Sequence, residues 1–349
     1  MKKIEILIKN LLFNLLLIFK RDTIKDKNLS FDEHSRILFI RLNRIGDALV
    51  STPLLHFIKQ ELKCRILILA DEKNHFIFRN NPDIDEVIVF KKGLKGFREY
   101  FRFLRAEKIN TVVDLHDDVS TTVSFLVALS SVKNKFGLEK VNKKIYSQTV
   151  TRPNSINTHI VIRIMQIAKL FNLDPGKADL CIKYFPKTEA NDKAVNFISG
   201  NFTKGKPILG INISAGSEAR FWGIDRYKQL LNFLSSYDIE NLILAAPKDK
   251  EIMRLISYPK YFISESYDEF AAVISKLRIL FSPDTAVIHI ASAYNVSVFG
   301  LYVHDTEDMI WSPINVDFDY FETKEHNLEN LQFYDVVQKF KPFLEKHIK

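Results

Sequence analysis

The 349-residue sequence is poor in the residues that build disulfide frameworks and metal clusters. It has two cysteines, Cys64 and Cys181, both in apolar, strand-like runs, so we expect two buried, reduced thiols. No pair of carboxylates has the spacing of a metal site, which predicts that no metal ion is needed. No internal repeat of solenoid length is present, which excludes the repeat architectures. What remains is the composition of a globular chain long enough for about two domains.

The sequence also lacks an apolar run long enough to span a bilayer. Near its start the longest uninterrupted run is residues 15–19, whereas a span takes about 20 residues. No small-residue cleavage site follows, which argues against a signal peptide. Apolar residues instead recur with helical spacing, and lysines lie on the opposite face. We therefore predict that residues 1–30 form an amphipathic helix on a membrane surface; the alternative is a helix packed on the protein's own body.

A broad positive region in the middle of the chain is missing as well. The formal net charge is +8, of which residues 1–27 contribute +4 and residues 338–349 contribute +3. The middle is therefore almost neutral, which argues against a nucleic-acid partner. Basic ends favour contact with an anionic surface instead.

What is present is an alternation of short apolar runs and helical patterns. Runs of strand length lie at residues 37–40, 66–70, 87–90 and 111–115, and the alternation restarts at residue 208. This order predicts an α/β protein with doubly wound parallel sheets. We expect a first domain over residues 31–185, a second over 186–325, and a final helix over 326–349 that crosses back to the first domain.

The chain is organised around residues 37–59, which read as strand, tight turn and helix. Gly46 permits a backbone angle or a close approach that a side chain would block. Asp47 follows at the carboxyl end of the first strand, the edge where open α/β sheets bind ligands. Asp47 is then either a helix N-cap or a general base. In an alternative start of the helix, Thr52 is the N-cap and Pro53 occupies the first helical position.

The pattern R-L-x-x-I-G-D followed by T-P-L-L resembles the opening motif of glycosyltransferase family 9, which includes the ADP-heptose:lipopolysaccharide heptosyltransferases. In that family the aspartate of the Gly-Asp pair is the proposed catalytic base, and Asp47 matches it. We expect Arg44 and Gly46, beside it, to line the acceptor site.

Two further elements of the first domain suggest acceptor contacts. Asp114-Leu115-His116 closes the fourth strand and resembles the family's Asp-Leu-Gln element, so we predict contacts from Asp114 and His116; the alternative for His116 is a structural role. His159 opens a helical run and suits a cap or an acceptor contact equally.

The second domain carries further motifs in the family's order. Ser214 and Gly216 lie in a small-residue loop able to approach phosphate. Arg220 matches the basic residue that contacts the nucleotide diphosphate in the family. Gly223 stands where the family has a proline. After the next strand, Asp249 or Glu251 is placed to hold a ribose hydroxyl.

The most specific of these motifs is S-P-D-T-A-V-I-H at residues 282–289, which resembles the family's Ser-x-Asp-Thr-Gly-x-x-His element. We expect a helix to start at Asp284 or Thr285 and to present backbone N–H groups to a diphosphate. His289 would lie one turn along on the same face. Ala286 replaces the family's glycine.

The resemblance covers residues 36–313 and implies a GT-B architecture, in which two Rossmann-like domains face a cleft. It implies inverting transfer of a heptose or related sugar from a nucleotide-sugar, ADP-heptose, to an anionic glycolipid, the lipopolysaccharide core. The donor is a substrate, and no cofactor is expected. We expect a cytoplasmic protein held on the inner membrane through residues 1–27. The alternatives are a different nucleotide-sugar transferase, an epimerase of the same fold, or an inert sugar-nucleotide-binding protein.

Overall fold

The computed structural model describes residues 13, 29–304 and 310–348. The predicted membrane-surface helix lies almost wholly outside these residues, and so do residues 305–309. The chain divides into two compact units, Met1–Lys183 (unit 1) and Tyr184–Lys349 (unit 2). Across the described residues, every helix is too short or too polar to cross a membrane.

Unit 1 is built on a six-stranded sheet in the order β3-β2-β1-β4-β5-β6. Every pairing in it is parallel. The strands are β1 Arg36–Arg41, β2 Arg65–Ala70, β3 Glu86–Val89, β4 Thr111–Asp114, β5 Asn134–Leu138 and β6 Gln148–Val150. The helices are α1 Ile45–Leu49, α2 Thr52–Leu62, α3 Leu94–Ala106, α4 Thr121–Leu129 and α5 Ile160–Met165.

The central strand of unit 1 explains why this sheet forms. In β1 every residue after Arg36 is buried, because a central parallel strand is covered on both faces. Pro53 lies within the first two positions of α2, where its missing N–H costs no hydrogen bond. The cap of α2 is Ser51, and Thr52 is the first helical residue, so the expected cap at Thr52 is off by one position.

Unit 2 has the same plan, with a six-stranded parallel sheet in the order β12-β11-β10-β7-β8-β9. The strands are β7 Ile208–Asn212, β8 Glu240–Ala245, β9 Tyr261–Ile263, β10 Ile279–Pro283, β11 Ser297–Tyr302 and β12 Phe318–Glu322. The helices are α6 Thr188–Asn201, α7 Ile224–Leu234, α8 Lys250–Ile256, α9 Tyr267–Ile274, α10 Val287–Ala293 and α11 Phe333–His347.

The last helix, α11, is part of the core of unit 2. Phe340 packs against Phe281 and Phe299, with ring centroids 5.1 Å and 4.9 Å away. The apolar face of α11 is thereby covered within unit 2. A crossing of this helix to the first domain stays a prediction.

Both sheets have the strand order 3-2-1-4-5-6 when each is counted from its own first strand. The order reverses between β1 and β4 in unit 1 and between β7 and β10 in unit 2. Ligands of doubly wound sheets bind at the carboxyl ends of the strands flanking this reversal. The predicted α/β class with two Rossmann-like sheets is confirmed, and these two edges are where the functional residues are to be sought.

Candidate active site

Asp47 lies at the carboxyl edge of β1, in the first turn of α1. The N-cap of α1 is Arg44, so the expected N-cap role of Asp47 is wrong. Its side chain is 16% exposed, and its Oδ1 accepts a hydrogen bond from Nδ2 of Asn43 at 3.4 Å. Gly46 is also inside α1 and needs no left-handed backbone, because positive φ among the glycines occurs only at Gly93, Gly205 and Gly223 in the described chain. The carboxylate is therefore reachable from solvent and held on a short helix.

Arg41, the last residue of β1, forms hydrogen bonds that hold this turn in place. Its Nε donates to the backbone oxygen of Asp47 at 2.8 Å, and its Nη1 donates to the backbone oxygen of Leu115. Its Nη2 lies 3.4 Å from Oδ1 of Asp47. The guanidinium is completely buried, and burial lowers the pKa of Arg41, while Asp47 and Asp114 act in the opposite direction. One buried cation thus links the carboxyl ends of β1 and β4 behind Asp47.

His116 completes the support of the turn. Its Nε2 accepts from the backbone N–H of Leu42 at 3.2 Å, so its Nδ1 carries the proton and donates to Oδ1 of Asp114 at 2.8 Å. Burial lowers the pKa of His116 by more than Asp114 raises it, which agrees with a neutral ring. The histidine therefore serves as a neutral acceptor for the backbone of the turn that leads to Asp47.

Asp114 is fully engaged inside unit 1. Its Oδ2 accepts from Nζ of Lys140 at 2.8 Å and from the hydroxyl of Tyr146 at 2.6 Å. Burial alone would raise the pKa of Asp114, but Lys140 and His116 hold it well below its usual range. Asp114 and His116 are 1% and 2% exposed, so their contacts here are with protein. A direct contact of either with an acceptor stays a prediction; the observed contacts give both a positioning role.

The other predicted acceptor residues of unit 1 differ in exposure. Arg44 is exposed beside the Asp47 turn. His159 is the N-cap of α5, and its Nδ1 accepts from the backbone N–H of Val161 at 3.3 Å. Two roles suited His159 equally, a helix cap and an acceptor contact. The structure shows the helix cap.

In unit 2, Ser214 ties the loop after β7 to the loop after β8. Its hydroxyl donates to Oδ2 of Asp249 at 2.6 Å and accepts from the backbone N–H of Ala246 at 2.7 Å. Asp249 is buried by these contacts, whereas Glu251 is exposed and pairs with Arg254. Gly216, at the tip of the loop after β7, is exposed and has open space around its Cα.

Arg220 lies against the end of β10, across the strand-order reversal of unit 2. Its Nη1 donates to the backbone oxygen of Asp284 at 3.0 Å, and its Nη2 lies 3.0 Å from Oδ2 of the same residue. Burial raises the pKa of Asp284, and Arg220 opposes that rise. A third of the Arg220 side chain is exposed. The guanidinium therefore has surface available for an anion beside the loop after β7.

The loop that carries Arg220 is anchored by Trp222. The indole N–H donates to the backbone oxygen of Leu331 at 3.0 Å, and its ring is completely buried. Gly223 follows with φ of +109°, a conformation that proline cannot adopt. Glycine adopts this backbone conformation without strain, so the family's proline would require a different backbone at this position.

The S-P-D-T-A-V-I-H motif runs from β10 into α10. The helix begins at Val287, later than the predicted start at Asp284 or Thr285, and Ala286 is its N-cap. The hydroxyl of Thr285 accepts from the backbone N–H of Val287 at 3.4 Å. His289 is buried, with its ring centroid 6.3 Å from that of Trp311.

A family model for glycosyltransferase family 9 (heptosyltransferase) matches residues 97–340, more than half of the chain. The chain belongs to glycosyltransferase family 9. It is 23% identical over 296 residues to lipopolysaccharide heptosyltransferase 1 of Campylobacter coli, covering 76% of this chain and 84% of that one. The recognition of the family from its motifs is confirmed, and the chain is a glycosyltransferase.

Solved structures show the same fold. A glycosyltransferase of family 9 from Veillonella parvula superposes with a TM-score of 0.78 at 18% identity, covering 92% of this chain and all of that one. The heptosyltransferase WaaC of E. coli, solved with ADP, superposes with a TM-score of 0.68 at 18% identity, covering 90% and 99%. The family 9 chain therefore has the GT-B type of fold.

The sequence did not lead us to predict that Arg41 and Lys140 form buried contacts at the site of this family 9 chain. Arg41 follows four apolar strand residues, and Lys140 follows β5, a strand that was not predicted. A basic residue at or just after the end of a buried strand is a weak signal, because only pairing across strands reveals which charge is buried. Among the described residues, no three His, Cys, Asp or Glu side chains are grouped as metal ligands.

Proposed function

We propose that this family 9 chain transfers a heptose from ADP-heptose to the core of lipopolysaccharide with inversion at the anomeric carbon. Unit 2 would bind the donor and unit 1 would supply the base, so both units must act on one sugar. The observation that carries the proposal is the partly exposed carboxylate of Asp47 at the strand-order reversal of unit 1.

In the proposed reaction, an acceptor hydroxyl oxygen attacks the anomeric carbon of the heptose. The bond from that carbon to the diphosphate oxygen breaks, and ADP leaves with the electron pair. Asp47 takes the proton of the attacking hydroxyl. General-base assistance of this kind contributes about 10²–10⁴ in rate.

The contacts around Asp47 support this role by fixing its position. Arg41 donates to the backbone oxygen of Asp47. His116 accepts from the backbone N–H of Leu42, the first residue after β1. Both supporting side chains are buried, so their rotamers are held by packing. A base held this way needs little reorganisation as the reaction proceeds.

The leaving diphosphate is proposed to meet the loop at Ser214 and Gly216, the guanidinium of Arg220 and the segment Asp284 to His289, with Ala286 at the helix start. Arginine is suited to this role because its planar fork matches phosphate oxygens. Asp249 is committed to Ser214, so Glu251 is the freer candidate for a ribose hydroxyl. Fixed donors of this kind stabilise developing charge by electrostatic preorganisation. We propose that no metal ion takes part.

The acceptor side of the proposal places the chain at the cytoplasmic face of the inner membrane, where residues 1–27 meet the bilayer. Arg44 is the exposed cation beside Asp47 and is proposed to contact the anionic acceptor. Deleting residues 1–27 should release the protein from membranes. Unchanged sedimentation with membranes after this deletion would contradict the role of that segment.

The decisive experiment is a transfer assay with ADP-heptose and heptose-deficient lipopolysaccharide, read by mass spectrometry of the glycolipid. The Asp47→Asn variant should lose about 10²–10⁴ in kcat and keep its affinity for ADP. The control is Asp71→Asn, which alters the carboxylate that directly follows β2. Equal losses in both variants, or an unimpaired Asp47→Asn enzyme, would exclude Asp47 as the base.

The same assay separates the competing functions. Transfer from a UDP-sugar but not from ADP-heptose would replace the donor, and interconversion of a free nucleotide-sugar would indicate an epimerase. Binding of ADP-heptose without any turnover would indicate an inert binding protein. None of these three alternatives has an observation of its own in the described residues that favours it over transfer of heptose from ADP-heptose.

A further inference from the structure

Helix α3 carries a concentration of positive charge that the net charge of the chain conceals. Residues 91–108 contain seven Lys and Arg against two Glu, a net charge of +5. This exceeds the +4 of residues 1–27. The middle of the chain is close to neutral only as an average.

The cations of α3 lie on one exposed face of the helix. Lys95, Arg98, Arg102 and Arg105 are spaced by three or four residues, which places them one above another, and all four are exposed. The opposite face packs against the sheet through Gly96, Tyr100 and Leu104. Unit 1 therefore presents a straight basic stripe to solvent.

The basic stripe is not neutralised within the described part of the chain. Lys91 has a partner in Glu99 at 3.4 Å, and the second acid, Glu107, pairs with Arg36 and Arg65 at the other end of the helix. The side chains of Arg98 and Arg102 form no ion pair with a described residue. An open cavity of about 750 Å³ is lined by Arg98, Arg102 and Arg105, together with Phe101 and Ala106.

The arrangement works against the stability of the helix. The first turn holds no acidic residue, and Lys91, Lys92 and Lys95 surround the helix N-terminus, where the dipole disfavours cations. Arg98 and Arg102 also repel each other at a separation of four residues. Folding alone does not account for charge placed in this way.

An exposed apolar side chain stands at the tip of the stripe. Leu94 is 89% exposed, lies between Lys92 and Lys95, and is the first residue of α3. Because α3 follows β3, Leu94 lies at the carboxyl edge of the sheet, the edge that also carries Asp47. An apolar tip flanked by lysines suits a bilayer interface, where the tip enters the acyl boundary and the cations meet phosphates.

We propose that the N-terminal tip and basic face of α3 form a docking surface for an anionic phospholipid bilayer. The surface is separate from residues 1–27 and does not depend on the sugar that the enzyme transfers. It would bring the carboxyl edge of the unit 1 sheet, with Asp47, to the membrane where a glycolipid acceptor lies.

The first test measures binding of the full chain to vesicles containing phosphatidylglycerol and to vesicles of phosphatidylcholine alone. The triple variant Arg98→Gln, Arg102→Gln and Arg105→Gln should lose about a hundredfold in affinity for the anionic vesicles, since each cation near such a surface contributes about fivefold. The matched control replaces Lys133, Lys169 and Lys177, three exposed lysines elsewhere on unit 1, by Gln. Equal losses in the two triple variants would reduce the effect to net charge and overturn the proposal.

The second test reports from the tip itself and so is not confused by binding through residues 1–27. Leu94→Trp introduces a fluorophore at an exposed site, where folding should be unaffected. Its emission should shift to shorter wavelength with anionic vesicles and be quenched by brominated lipids, relative to the parent chain. Vesicle binding without shift or quenching would overturn the proposal and leave the transfer function untouched, because no sugar is present.

Discussion

In unit 1 the strand-order reversal is backed by buried charge, whereas in unit 2 the equivalent place is backed by neutral polar groups. Behind Asp47 lie Arg41 and Asp114, both essentially inaccessible to water. At the end of β7, Asn212 instead donates to the hydroxyl of Ser282 at 3.0 Å. The charges of unit 2, Arg220 and Asp284, lie nearer the surface.

The difference fits two kinds of chemistry. A general base needs one carboxylate held in a defined place, and buried ion pairs supply rigid support at a high desolvation cost. A diphosphate site needs hydrogen-bond donors that remain available to a ligand. Uncharged loops, and an arginine such as Arg220 that contacts Asp284 but keeps a third of its side chain exposed, provide such donors. The two sheets therefore share a topology and differ in the charge beneath their loops, as the proposed base and the proposed diphosphate site require.

The largest effect should come from removing the buried cation of unit 1. Arg41→Gln leaves the carboxylate of Asp47 and the backbone oxygen of Leu115 without their shared guanidinium, and breaking a buried pair typically lowers the free energy of unfolding by about 3–5 kcal/mol. The control is Arg36→Gln at the other end of β1, where the side chain is 38% exposed and the loss should stay below about 1 kcal/mol. Denaturant unfolding followed by hydrogen exchange in β1 measures both. Similar losses would show that burial does not distinguish the two ends of this strand.

The next effect concerns Arg220, a partly exposed cation of unit 2. Arg220→Gln should weaken ADP binding by about ten- to hundredfold, because a hydrogen bond to a charged group contributes about 1.5–3 kcal/mol. Lys341→Gln, which alters an exposed cation of the same unit paired with Glu345, should leave the affinity unchanged. Calorimetric titration with ADP measures the contrast. Tight binding by the Arg220 variant would remove it from the donor site.

A third prediction tests the backbone of the Arg220 loop. Gly223→Ala should lower the free energy of unfolding of unit 2 by about 1–3 kcal/mol, because the backbone region at φ of +109° is almost restricted to glycine. An added Cβ would also lie 2.7 Å from Nη1 of Arg226. Gly216→Ala, where no atom crowds the new methyl group, should change stability by less than about 0.5 kcal/mol. Thermal unfolding of the two variants should therefore differ, and matching midpoints would count against strain at Gly223.

The smallest effect is a pH dependence that belongs to unit 1. Burial lowers the pKa of His116, so the unfolded chain binds a proton more readily and stability falls as pH drops below about 6.5, the unfolded value. His116→Gln keeps an acceptor for the N–H of Leu42 without titrating, and it should reduce the loss between about pH 7 and pH 5 by roughly 1 kcal/mol. His34→Gln, which replaces an exposed histidine of the same unit, is the matched control. A His116→Gln profile that follows the parent would assign the acid sensitivity to another group.

Much of the fold could be predicted because local patterns carry it. The apolar runs at residues 37–40, 66–70 and 111–115 became β1, β2 and β4 with one-residue differences at their ends. The strands β5, β6, β9 and β12 were not predicted, since they are short or interrupted by polar residues such as Lys135. Their identity depends on pairing with a neighbour, which local periodicity does not contain.

The sequence by itself determined the strand–turn–helix pattern at Asp47, the order of the family's motifs and the doubly wound class, because each follows from residues close together in the chain. Only the tertiary structure decided which charges are buried and which are offered to solvent. Arg41 and His116 are buried because β4 lies beside β1, and the cations of α3 are exposed because the helix turns its other face to the sheet. Burial and exposure arise from contacts between segments distant in sequence, and a single chain read in order does not contain those contacts.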